Sequence, residues 1–176
     1  MAAKKWYQFI IDFINSILKP KPPVIPSYIV EVNKRDERIA KSVSFDMIPA
    51  RDGTQSLEDV PVWAYAGTNP DDWNGGNTRG PLSVRVKAND TNSYELKVGL
   101  DAYVKEPDVQ APCQTGVKVS MLLELTSLGV TLTANGKSAT VPCKLDMSKS
   151  YTIGIGWPPQ KRQGCLGAKL DNVKFA

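Results

Sequence analysis

Val117-Lys-Val-Ser-Met-Leu-Leu-Glu-Leu-Thr126, followed by Gly129-Val-Thr-Leu-Thr-Ala-Asn-Gly-Lys-Ser-Ala-Thr-Val141, decides the fold of this chain. Val117, Val119, Met121, Leu123 and Leu125 alternate with polar or smaller residues, the period-two pattern of a strand with one buried face. Val130 and Leu132 continue it. Asn135-Gly136 is the strongest short hairpin signal in the sequence, because both residues accept the positive φ that a tight two-residue turn requires. The pattern repeats outward in both directions. Val43, Phe45 and Met47 alternate with Ser42, Ser44 and Asp46. Leu82, Val84 and Val86 stand against Ser83, Arg85 and Lys87, and Tyr94, Leu96, Val98 and Leu100 carry a further strand. Tyr151, Ile153, Ile155 and Trp157 oppose Thr152, Gly154 and Gly156, and residues 167–175 read as a closing strand.

Arg51-Asp52-Gly53 and residues 89–93 are turns by composition, residues 34–38 a solvated charged loop, and residues 107–116 a long loop. Short strands joined by turns, with no interleaved helical pattern, predict an antiparallel two-sheet sandwich in a mainly β fold. Val84, Leu96, Met121, Leu123, Ile153 and Ile155 are expected inside it. Trp63 and Tyr65 belong to another strand, where aromatic residues are most often core.

Residues 1–19 differ from the rest. Trp6, Phe9, Ile10, Phe13, Ile14, Ile17 and Leu18 fall at helical spacing, opposite Lys5, Gln8, Asp12, Asn15, Ser16 and Lys19. Pro20, Pro22, Pro23 and Pro26 then stop the helix, because proline lacks the amide donor. The expected organisation is an anchoring helix (1–19), a Pro-rich linker (20–27) and a sandwich domain (28–176). A helix this short must bury its stripe against something. The favoured use is docking or self-association. Packing on its own domain and lying on an anionic membrane, which Lys4, Lys5, Lys19 and Lys21 would favour, are the alternatives. The run is too short and too interrupted to span a bilayer, and no secretory signal is convincing.

The composition excludes much chemistry. Histidine is absent from the 176 residues, which removes the commonest general base and the commonest metal ligand. Cys113, Cys143 and Cys165 are too dispersed for a zinc set, and their odd number argues against a disulfide framework. The net charge of +4 is spread along the chain without a basic run, so no nucleic-acid partner is expected. No cofactor and no metal are expected. The best candidate site is the loop Asn69 to Asn77, in which Trp73 offers a platform for a sugar ring and Asp71, Asp72, Asn74 and Asn77 offer hydrogen bonds. Those oxygens also suit calcium, the less favoured reading, because calcium loops keep stricter spacing. A plain structural loop is the third.

Three stretches carry a family resemblance: Gly129 to Lys137, Leu145-Asp-Met-Ser-Lys-Ser-Tyr-Thr-Ile-Gly-Ile-Gly-Trp157, and Leu170-Asp-Asn-Val-Lys-Phe175. Together they resemble concanavalin A-like and laminin-G-like jelly rolls over residues 41–176. The resemblance implies a curved sandwich that often binds glycans, sometimes with calcium, and in one branch hydrolyses them. The hydrolytic branch carries a Glu-x-Asp-x-(x)-Glu strand motif, and no such triplet occurs here, so no catalytic residue is expected. The layout of anchor, spacer and sandwich resembles virion accessory proteins of tailed bacteriophages, such as capsid decorations, head fibres or tail appendages. That resemblance implies a non-enzymatic display protein located on a virion, or else in the cytoplasm. Its partners would be virion proteins or its own copies through the helix, and a cell-surface glycan through the sandwich. The alternatives are a lectin or glycoside hydrolase, and a peripheral membrane protein.

Overall fold

A computed structural model describes residues 35–50, 60–66, 82–100, 103–156 and 168–176. The helix and linker expectations for residues 1–27, and the candidate loop with Asp71, Asp72, Trp73, Asn74 and Asn77, lie outside the described residues. Trp157 and Cys165 do too.

The described chain is built of strands: β1 (Arg35–Ile39), β2 (Ser42–Ile48), β3 (Val62–Ala66), β4 (Ser83–Asp90), β5 (Ser93–Leu100) and β6 (Tyr103–Lys105) come first. β7 (Asp108–Gln110), β8 (Val119–Thr126), β9 (Gly129–Ala134), β10 (Lys137–Pro142), β11 (Tyr151–Gly156) and β12 (Lys169–Phe175) follow. They form two sheets, one of seven strands in the order β1-β11-β3-β4-β5-β6 with β7 also on β5, and one of five in the order β10-β9-β8-β2-β12. Every pairing is antiparallel. This is the mainly β, two-sheet jelly roll that the alternation predicts. Among the described residues no helix is long and apolar enough to cross a membrane.

The core lies between the sheets. Val43, Phe45 and Met47 from β2, with Met121, Leu123 and Leu132 from β8 and β9, are at most 5% exposed and face inward from the five-stranded sheet. Val84, Leu96, Ile153 and Ile155 close on them from the other sheet, each fully buried. All six expected core residues are therefore inside. The Asn135-Gly136 turn joins β9 to β10 with φ of 48° and 77°, and the Asn135 side chain accepts the Ser120 amide at 2.9 Å.

Two expectations are corrected. The described part of the charged run is not a loop: Arg35–Ile39 is a strand, at the edge of the sheet among the described residues and paired residue for residue with β11. An edge strand is specified by backbone pairing and tolerates charges that blunt further association. The loop expected over 107–116 contains β7, and β6 and β7 are successive pieces of one edge along β5. Pro107 breaks that edge, which as a terminal position tolerates a residue without an amide donor, and its carbonyl accepts the Leu96 amide at 2.9 Å. Cys113, which is buried, and Cys143 are thiols rather than a disulfide.

Candidate functional site

Alternation on β3, β4, β5 and β11 gives the seven-stranded sheet a second face, turned away from the core. Trp63 and Tyr65 stand on it. They are buried as expected, 0% and 1% exposed, but with Val60 they form a separate cluster instead of joining the main core. Their rings stack at 5.7 Å with an interplanar angle of 11°. Gly154 lies directly across from Trp63, and a Cβ there would land on the indole ring, so glycine at this strand position makes room for the tryptophan. Small residues on β11 thus let a large aromatic lie flat over the sheet.

Beside the aromatic pair stands a ladder of partly buried charges. The register places Arg85 directly opposite Lys97, and Glu95 between Lys87 and Asp108. Arg85 meets Glu95 on the diagonal at 3.9 Å, with the two side chains 12% and 17% exposed. Lys97, 17% exposed, pairs with Glu106, which projects from the break between β6 and β7. Like charges set directly opposite each other on a sheet are destabilising. Two such oppositions side by side, Arg85 with Lys97 and Glu95 with Asp108, are a departure from local consistency of the kind that functional surfaces carry. Asn89 extends the ladder, donating from Nδ2 to Asp108 at 3.2 Å. Beyond Arg85 in the other direction lies Ser83, opposite Gly99 and Tyr65. Ser83 is 3% exposed, and its hydroxyl has no hydrogen-bond partner among the described residues.

The outer face of the five-stranded sheet is chemically different, because several of its polar groups pair with one another. Thr131 pairs with Thr140 at 2.9 Å and Thr133 with Ser138 at 2.7 Å. Asp46 accepts from Ser120 at 2.5 Å, Asn172 at 2.9 Å and Lys118 at 3.2 Å. The Ser120 hydroxyl first, then Asn172 and Lys118, hold its carboxyl below the usual carboxylate range against the opposing effect of burial. Asn172, within the Leu170-Asp-Asn-Val173 stretch, reaches Asp46 from a bulge in β12 where its own φ is 54°. This network pins three strands together and is satisfied.

The charged face is not legible in the sequence, because Ser83, Arg85 and Lys87 look like the ordinary solvent side of a half-buried strand. Only the register shows which charges oppose which. Among the described residues, no group of three or more His, Cys, Asp or Glu side chains is arranged to hold a metal ion.

No protein-family model matches the chain, and no curated protein matches it in sequence. Solved structures do share its fold. A single-substitution variant and a double-substitution variant of human galectin-16 each match with a TM-score of 0.51 at 10% identity, covering 84% of this chain and 97% of theirs. A native heptameric SAP-like pentraxin from Limulus polyphemus matches with a TM-score of 0.48 at 10% identity, over 88% of this chain and 71% of its own. The galectin likeness is one of fold: the chain carries a concanavalin A-like jelly roll.

Proposed function

We propose that this chain is a non-enzymatic glycan-binding module, whose site is the outward face of β3, β4 and β5. The observation that carries this reading is the charge ladder of Arg85, Glu95 and Lys97 beside the Trp63–Tyr65 stack. Neighbouring donors and acceptors on a rigid sheet are what recognition of sugar hydroxyls needs, and strands hold them more precisely than loops do. The jelly-roll fold shared with galectins is consistent with it, and fold alone does not assign function.

The non-enzymatic part rests on spacing. Glu37 and Glu95 stand on β1 and β5, four strand spacings apart in the sheet order, about 19 Å at the usual strand separation. A glycosidase sets its carboxylates roughly 5–10 Å apart across the scissile bond. Glu95, Asp108 and Glu106 are closer, but each already serves a partner, Arg85, Asn89 and Lys97 respectively.

The loop 69–77 joins the end of β3 to the start of β4, so its tethers flank the Tyr65–Ser83 pair. Asp71, Asp72, Trp73, Asn74 and Asn77 are therefore proposed as a rim to the face. In the same reading, residues 1–19 dock through Trp6, Phe9, Ile10, Phe13, Ile14, Ile17 and Leu18 to copies of the chain or to a larger particle. The support for that is the helical spacing and the proline break alone. A virion role has no counterpart among the structures named above.

The test is a glycan array followed by calorimetry on the best binder. Arg85→Ala and Glu95→Gln are each expected to weaken binding by about tenfold or more, the loss of a charge-assisted hydrogen bond. Thr131→Ala, on the opposite sheet, should leave it unchanged, and the glycan should be recovered intact. Equal loss in all three variants, or none in any, contradicts the reading.

A further inference from the structure

We infer that the ligand of this face is an acidic glycan, whose carboxylate or sulfate is held by Ser83, Arg85 and Lys97; this rests on the glycan-binding reading above. The face is ordered in rows. Ser83 stands opposite Gly99, Arg85 opposite Lys97 in the next row, and Lys87, Glu95 and Asp108 make the third. Successive rows are about 7 Å apart along the strands. The carboxylates of Glu95 and Asp108 thus lie on the far side of the two cations from Ser83. At the Ser83 end the described residues carry no acidic side chain: Ser83 stands between Tyr65 and Gly99, all three buried.

Three features of that end point to an anion. Arg85 and Lys97 stand in direct opposition, each with one carboxylate at its side, Glu95 and Glu106, and an anion set between the two cations eases the repulsion that remains. A guanidinium offers paired donors that match a carboxylate or sulfate edge, which a neutral hydroxyl cannot use as fully. The Ser83 hydroxyl, 3% exposed and without a partner among the described residues, is a buried donor of the kind that a ligand oxygen satisfies. Glu106 then becomes an internal competitor. It is 42% exposed, stands at the break in the sheet edge, and holds Lys97 while no ligand anion is present.

The experiment uses the full chain and pairs of probes that differ only in the acid group: sulfated oligosaccharides beside their desulfated forms, and sialylated oligosaccharides beside their asialo forms. The acidic member of the preferred pair should bind about tenfold more tightly, with a preference that shrinks as salt rises. Arg85→Gln and Lys97→Gln should bring the two members to within about twofold of each other. Glu106→Gln, an exposed position that spares the fold, should widen the preference by releasing Lys97. Equal affinity for both members of every pair overturns the acidic assignment while leaving the glycan reading in place. So does an acid preference that survives Arg85→Gln and Lys97→Gln, or one that Glu106→Gln narrows. Binding to none of the probes, acidic or neutral, overturns both.

Discussion

Asp46 shows how much one side chain does in this sandwich. It sits on β2, the strand between β8 and β12, and gathers donors from both neighbours. With the side chain only 15% exposed, little water replaces a lost partner. Asp46→Ala leaves Ser120 and Asn172 without their acceptor and should cost about 1–3 kcal/mol in urea unfolding. Its carboxyl is held below the usual range in the folded chain, so it binds a proton more readily when unfolded. The stabilisation is therefore fully present above the unfolded-state pKa and is lost as pH falls through the lower folded-state value. Asp46→Asn should flatten the acid limb of stability against pH relative to the parent protein. An unchanged limb would remove Asp46 from the account.

Elements differ in how legible they are from sequence. The β8–β9–β10 meander can be read directly, because strict alternation and one Asn-Gly turn fix both faces and the register at once. Gly136 at φ 77° is the position where that turn depends on glycine. Gly136→Val should cost about 1–3 kcal/mol, the expense of forcing a β-branched residue into left-handed backbone. Thermal unfolding of the variant checks this, and an unchanged midpoint would contradict the turn geometry. β1 is illegible for a physical reason: an edge strand needs backbone partners, which composition does not reveal, and its charges imitate a loop. β7 is three residues long, below any period that can be counted. The aromatic pair on β3 was legible as buried but not as facing away from the core, because five consecutive buried residues erase the alternation. The candidate face is invisible for a related reason. Its distinguishing fact, Arg85 against Lys97, is a property of two strands together.

At the scale of the molecule, the two sheets divide the labour. The outer face of the five-stranded sheet pairs several of its polar groups among themselves through the Thr131–Thr140 and Thr133–Ser138 pairs and the Asp46 network. The seven-stranded sheet leaves like charges opposed and a buried hydroxyl unsatisfied among the described residues. The first arrangement stabilises the fold; the second is the face proposed to take a ligand. The central claim is that a glycan binds to the second face, and chemical-shift mapping of isotope-labelled protein titrated with its best oligosaccharide tests it most directly. The account predicts that amide shifts concentrate at Ser83, Arg85, Glu95, Lys97 and Gly99, with Thr131, Thr133 and Ser44 unmoved. Shifts centred on Thr131, Thr133 and Ser44 instead, with β4 and β5 silent, would contradict it.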